Sequence, residues 1–395
     1  MEKMNFIKFL DDFKSKQEVL NNDYLKFIQT ANAEFYGNNY GAPKFVGYCP
    51  PLTDQYALWK QNHEITLSQI EDSRPKIHID VSINEIGDLL KIVKENPYDE
   101  QYQYNIDLKA LHNIQEELES LENMVGMKNI KVNIMDQLLY FLQGLHNVGE
   151  GDYKHTILYG PPGTGKTEIA KIMGQMYSKI GILKNNCFRK VTRGDLIAGY
   201  LGQTAIKTKK VIDECSGGVL FIDEVYSLGS QVDDDNYSKE CIDTLCEALS
   251  DRKNELMVIV AGYQKEINER FLQRNSGLSS RFIWKFKMDE YDYNDLFVIF
   301  QKKVEKSKWT MDKEEITNIW FKENEKEFIS CGRDIEKLFS YAKVAHGRRL
   351  YGSSDIKKYC ITLSDIDRAM IIFKENKMKE EENNLQKHIL QTLYC

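Results

Sequence analysis

At 395 residues the chain can hold two to three domains and a large core. Its net charge of −7, from 53 basic and 60 acidic side chains, gives no general pull toward nucleic acid or anionic lipid. With 42% hydrophobic and 29% charged residues it reads as an ordinary globular protein, with no apolar run long enough to span a bilayer. Eight cysteines without a C-x-x-C pair or a Cys/His cluster point to free thiols in a reducing compartment, the cytoplasm, and argue against a zinc site.

The opening MEKMNFIKFLDDFK is amphipathic with early acids, unlike a secretion signal. Two helical stretches lead into the turn-rich segment 35–56, broken by Gly, Asn and the pair Pro50-Pro51. A further helical stretch at 83–96 closes at Asn96-Pro97. Residues 1–105 carry no motif and no repeat, and are expected to form a mostly helical accessory domain without an assigned task. From 106 the texture changes. Leu108, Leu111, Ile114, Leu118 and Leu121 recur at three- and four-residue steps, which predicts an amphipathic helix, and a second is predicted around 128–145.

Strand signals at 155–159, 187–192, 218–223, 256–261 and 282–287 then alternate with helical signals at 165–180, 204–214 and 237–252. That alternation predicts parallel βαβ units in a three-layer αβα domain spanning 106–290. Beyond 290 the strand signals stop. Helices are predicted at 292–306, 312–328, 333–346 and 363–375, a helical lid over 291–376, followed by a charged helical tail at 377–395.

The segment Gly160, Pro161, Pro162, Gly163, Thr164, Gly165, Lys166, Thr167 fits G-x-x-x-x-G-K-[ST] between a predicted strand and a predicted helix. Its glycines let backbone amides turn onto phosphate oxygens, and the helix N-terminus adds a favourable dipole. Lys166 would reach the β- and γ-phosphates of ATP, and the Thr167 hydroxyl would ligate Mg²⁺. A P-loop alone could only bind nucleotide. The stretch Val219–Glu224 supplies a buried strand ending in two acids. Asp223 can hold the Mg²⁺ shell, and Glu224 can act as general base toward the attacking water.

Phosphate loop, acidic strand and helical lid together resemble AAA+ ATPases, and within them the CbbX/CfxQ family, which includes CbbX-type Rubisco activases and SpoVK-like proteins. The resemblance covers 116–375. It rests on the segments at 160–167, TRGDLIAGYLGQTAIKT (192–208), GGVLFIDEVYSL (217–228), VIVAGY (258–263), NSGLSSRF (275–282) and GRDI (332–335). It implies that Tyr200 and Leu201 belong to a loop lining the pore of a hexameric ring, where the aromatic grips an extended polypeptide. It further implies that Arg281 is an arginine finger acting on a neighbouring subunit's nucleotide and that Arg333 is the sensor of phosphate occupancy in the lid. Val125 and Gly126 would cradle adenine. Two features depart from wider patterns. Gly262-Tyr263 stands where many AAA+ proteins carry a polar sensor, which leaves that role unassigned, and the long amino-terminal stretch weighs against Rubisco as the client.

The reading that follows is a Mg²⁺-dependent ATP hydrolase, chaperone-like, that pulls on or disassembles a protein client as a homo-hexameric ring. Two alternatives stand beside it. One is a motor on nucleic acid, against which the charge balance and the lack of a basic-aromatic stripe weigh. The other is a nucleotide-gated scaffold with little turnover, which would have no need of the water-activating acid.

Overall fold

A computed structural model of the protein describes residues 74–147, 151–200, 202–229, 235–352 and 358–393. The first two helical stretches, the turn-rich segment 35–56, Leu201 and the last two residues of the tail lie outside the described residues. The described chain forms one compact unit beginning at Arg74.

Before the main sheet come β1 (Lys76–Ile77), α1 (Ile86–Glu95), β2 (Gln103–Tyr104), α2 (Leu108–Asn113), α3 (Gln115–Glu122) and α4 (Lys128–Leu142). The helix predicted at 83–96 is α1, which stops at Asn96 because Pro97 follows. Its apolar face (Ile86, Leu89, Val93) is buried in the same core as α2–α4, so residues 74–105 pack with the domain that follows them. The five periodic residues from Leu108 to Leu121 are all buried, as their spacing predicts, yet they are divided between two helices, with Ile114 at the junction. The hydrogen-bond ladder shifts at Ile114, whose N–H is shared between the carbonyls of Ala110 and Leu111.

The sheet follows with β3 (Thr156–Tyr159), α5 (Lys166–Lys179), β4 (Phe188–Val191), α6 (Arg193–Leu196), α7 (Thr204–Glu214), β5 (Val219–Ile222), α8 (Asn236–Asp251), β6 (Met257–Gly262), α9 (Gln264–Arg270), α10 (Ser276–Arg281) and β7 (Trp284–Lys287). All five strands are parallel, in the order β4-β5-β6-β3-β7. Side chains alternate between the faces of each strand, and the two faces feed separate cores. Leu158, Phe221, Ile259 and Phe286 join α1–α5, whereas Ile157, Leu220, Ile222 and Val260 join the layer containing α7 and α8. This is the three-layer αβα P-loop fold expected from the alternation.

The lid comprises α11 (Tyr293–Lys306), β8 (Thr310–Met311), α12 (Asn318–Asn324), α13 (Gly332–Leu350), β9 (Cys360–Ile361) and α14 (Leu363–Leu393) around its own core of Phe300, Phe321, Leu338, Phe339 and Ile366. Strands do not vanish past 290, as the sequence signals suggest, because β8 and β9 pair in parallel. A two-residue ladder is too short to leave a period-2 trace. The helix predicted over 312–328 is confined to α12 and a 3₁₀ turn at Glu325–Glu327, while α14 runs without a break through the expected boundary at 376. Among the described residues no helix is long and apolar enough to cross a membrane.

Candidate active site

Parallel strands bring their carboxyl ends to one edge of the sheet, where helix N-termini gather. Tyr159 stands beside Gly262 in the β3–β6 register, and Ile222 beside Val260 in the β5–β6 register. The loop leaving β3 and the acids leaving β5 therefore emerge from the same edge, one strand apart.

The first of these is the phosphate loop. Gly160 donates its N–H to the Gly262 carbonyl (3.0 Å), which fixes the start of the loop to the end of β6. Gly163 and Gly165 hold φ of +78° and +84°, a region that glycine enters without strain, and Gly165 caps α5. Thr164 is buried and donates its hydroxyl to the Pro161 carbonyl (2.8 Å). Lys166 reaches back across the loop, its Nζ donating to the carbonyls of Gly160 (2.9 Å) and Pro161 (2.7 Å). Burial lowers its pKa below the usual lysine value, with the nearby Asp223 carboxylate opposing the shift.

Lys166 and Thr167 line a cavity of about 250 Å³ together with Asp223, Glu224, Tyr263 and Arg333. Asp223 accepts an ion pair from Lys190 of β4 (2.6 Å), and its second oxygen accepts the Glu224 N–H (3.1 Å). Glu224 sits in the left-handed region (φ 50°, ψ 46°), a conformation costing a non-glycine residue about 1–2 kcal/mol. Such strain, retained beside a phosphate loop, has the pattern of a functional position.

A second cavity of about 430 Å³ adjoins the first and shares Gly163, Gly165 and Arg333 with it. Met124, Val125, Tyr291 and Ile299 give it apolar walls, and Lys302 stands at its edge, donating to the Asn123 carbonyl (2.5 Å). Gly126 turns the chain at φ +64° just beside Val125, so close to α11 that a Cβ would stand 2.9 Å from an Asp295 carboxylate oxygen. Arg333, in the first turn of α13, faces both cavities. The lid reaches this point by close backbone approach: a methyl on Gly163 would overlap the Ser330 carbonyl oxygen, and one on Gly332 would stand 2.8 Å from the Gly163 carbonyl.

The structure thus brings together Gly160, Gly163, Gly165, Lys166, Thr167, Asp223, Glu224, Val125 and Arg333. It does not bring Arg281 to them. Arg281 ends α10, with Nε donating to Ser250 Oγ (2.6 Å) and a terminal nitrogen to the Gly277 carbonyl (2.6 Å), and it lines neither cavity. Tyr200 also stands apart, 73% exposed between α6 and α7. Beside it Gly199 and Gly202 have open space around them.

Sequence reasoning missed Lys190, Tyr226 and Tyr291. Tyr226 lies two residues past Glu224 and packs its ring near Tyr263 (centroids 6.2 Å). It explains the Ala-Gly-Tyr ending of β6, since a Cβ on Gly262 would stand 2.8 Å from the Tyr226 ring. Burial, and then the charge of Glu224, raises the Tyr226 pKa and keeps the phenol neutral. Tyr291 donates to the Thr164 carbonyl at 3.4 Å, joining the start of the lid to the phosphate loop.

Comparison with known proteins agrees with this geometry. Residues 156–283 match the model of the ATPase family associated with various cellular activities (AAA). A cfxQ-like protein of Acanthamoeba polyphaga mimivirus is 39% identical over 283 residues, 71% of this chain and 69% of that one. Stage V sporulation protein K of Bacillus subtilis (strain 168) is 32% identical over 212 residues, 52% and 65% of the respective chains. Protein CbbX of Cereibacter sphaeroides is 31% identical over 287 residues, 68% of this chain and 92% of its own length. A phosphate loop closed by a lid arginine, an acidic pair one strand away and similarity along nearly all of CbbX converge on one answer: this chain belongs to the CbbX/CfxQ family of AAA+ ATPases.

Proposed function

We propose that the protein hydrolyses ATP with Mg²⁺ and spends the energy remodelling a protein client drawn through the pore of a homo-hexameric ring. The observation that carries this reading is the junction of the two cavities, where one side offers Lys166, Thr167, Asp223 and Glu224 and the other offers apolar walls. A nucleoside triphosphate has the same division, charged at one end and planar and apolar at the other, so the donor set fits it. The Thr167 hydroxyl and Asp223 are hard oxygen ligands suited to Mg²⁺, which when bound neutralises phosphate charge.

The protein's own residues divide the remaining work. Lys166 exchanges its loop carbonyls for phosphate oxygens, a short swing since it already lies across the loop mouth. Glu224 accepts a proton from the attacking water. Arg333 links phosphate occupancy to the first turn of α13 and hence to the lid. Arg281, remote from its own chain's cavities, would act on the nucleotide of a neighbour. Val125 and Gly126 would receive adenine against the apolar wall, and Tyr200, with Leu201, would grip the client.

The decisive experiment for client pulling is Tyr200→Ala. A packed aromatic loses about 3–5 kcal/mol on truncation, but a ring 73% exposed has little packing to lose, so the variant should melt with the wild type. It should retain ATPase activity within a few-fold while losing the unfolding of a tagged polypeptide, and Tyr200→Phe should retain much of that work, because grip is apolar. Full threading activity in Tyr200→Ala would remove the pore-loop assignment.

A further inference from the structure

Arg193 opens α6, immediately after β4 and seven residues before Tyr200, and its guanidinium joins three segments. One terminal nitrogen donates to the carbonyls of Ser227 (2.7 Å) and Leu228 (3.3 Å) and to Ser238 Oγ (2.9 Å). The other pairs with Asp235 at 2.9 Å. Ser227 and Leu228 belong to the 3₁₀ turn Val225–Leu228, which begins directly after Glu224, and the Ser227 N–H donates to the Glu224 carbonyl at 2.8 Å. Asp235 and Ser238 form the capped start of α8, where Asp235 accepts the Ser238 N–H (3.1 Å) and hydroxyl (2.7 Å), so both acceptors are held in place before the arginine arrives.

The far stem of the Tyr200 loop is fastened to the same helix, one turn further along. Ala205 in the first turn of α7 donates its N–H to Glu240 of α8 (3.2 Å). The two stems are tied to each other as well, through Thr208 Oγ1 to the Leu196 carbonyl (3.0 Å) and Lys207 Nζ to the carbonyls of Gly194 (2.6 Å) and Ile197 (3.0 Å). Both stems are therefore anchored while Tyr200 at the tip stands in solvent. Glu224 and the exposed loop are joined by a short chain of hydrogen bonds with Arg193 at its centre.

We propose that Arg193 is a positioning residue that makes the turn after Glu224 and the stems of the Tyr200 loop move together, so that the state of the nucleotide site sets the position of the loop. The proposal rests on the nucleotide reading above. The planar fork of arginine suits this task, since it addresses carbonyl, hydroxyl and carboxylate acceptors at fixed angles, whereas lysine concentrates its charge at one nitrogen and cannot span them. A merely structural arginine would leave no imprint on nucleotide dependence, and that separates the two cases.

The test is hydrogen–deuterium exchange on the full chain, with and without Mg²⁺ and a non-hydrolysable ATP analogue, reading peptides over 160–167 and 197–203. In the wild type both segments should change exchange on adding nucleotide. In Arg193→Lys the change at 160–167 should persist and the change at 197–203 should be lost. Should that variant melt early, Asp235→Asn removes only the charged acceptor and is read in the same way. A wild-type response at 160–167 without one at 197–203, or a variant that transmits the response in full, overturns the coupling alone. A wild type unresponsive at 160–167 sinks the nucleotide reading and the coupling with it.

Discussion

Gly163→Ala is the substitution for which the structure gives the most pointed outcome. Alanine at φ +78° carries a backbone penalty of about 1–2 kcal/mol. In addition, its methyl would overlap the Ser330 carbonyl oxygen and stand 2.9 Å from the Arg333 nitrogen. Neither neighbour can yield locally. Ser330 N–H is held by the Asp334 carboxylate (2.7 Å), Arg333 N–H by the Ser330 carbonyl (3.0 Å), and Cys331 between them already sits at φ +46°. The first turn of the lid must therefore retreat from the phosphate loop as a unit and carry Arg333 away from both cavities. Losing that closure should weaken ADP binding roughly ten- to a hundredfold, equivalent to about 1.4–2.8 kcal/mol. Gly144→Ala is the matched control, because Gly144 has a similar φ of +68° but nothing within 4 Å of its Cβ position. It should lower the melting temperature through the same backbone strain and leave affinity untouched. Calorimetric titration of both variants with ADP separates the effects, and equal affinities would show that lid contact at Gly163 does not matter.

Three further outcomes follow from the same geometry. Arg281→Ala should bind ATP yet turn over poorly, and mixing it with Lys166→Ala should restore part of the activity, since some interfaces in mixed rings pair an intact loop with an intact arginine; no recovery on mixing would contradict action between subunits. Sedimentation with ATP and Mg²⁺ should show an assembly near six chains, and a monomer hydrolysing at a concentration-independent rate would rule that out. His155 is fully buried, accepting the Val258 N–H on Nδ1 (3.1 Å) and facing the Leu249 carbonyl with Nε2 (3.1 Å), and burial lowers its pKa to about 4. The unfolded chain thus binds the extra proton between pH 6.5 and 4 and the folded one does not, so stability must fall with pH there, by about 2 kcal/mol from pH 7.5 to 5. His155→Asn, which keeps an acceptor and cannot titrate in this range, should flatten the slope in urea unfolding measured across those pH values.

Much of the fold was legible because parallel buried strands such as Val219–Ile222 read as apolar runs, and because Gly165 and Pro97 punctuate their helices. The phosphate loop and acidic pair were legible for a stronger reason. Their chemistry depends on local backbone and adjacent residues, so spacing along the chain preserves it. What stayed hidden depends on distant segments meeting. Lys190 reaches Asp223 only because β4 and β5 are neighbours, and Gly262 is required only because Tyr226 folds against it. The lid's approach to Gly163 joins positions about 170 apart in sequence, and the break at Ile114 leaves its hydrophobic spacing intact. The β8–β9 ladder has too few residues for any pattern to accumulate.

The assignment of hydrolysis to the two acids after β5 is tested most directly with Glu224→Gln. Glutamine keeps the size of the side chain and tolerates the same backbone but cannot take the proton of the attacking water. Equilibrium binding of ATP and steady-state phosphate release should be measured on the same preparations of wild type and variant, in Mg²⁺. Binding should be retained and phosphate release should fall by about 10²-fold or more, the lower range for loss of a general base. A variant that releases phosphate at the wild-type rate would contradict the role of Glu224 and with it the catalytic reading of the site.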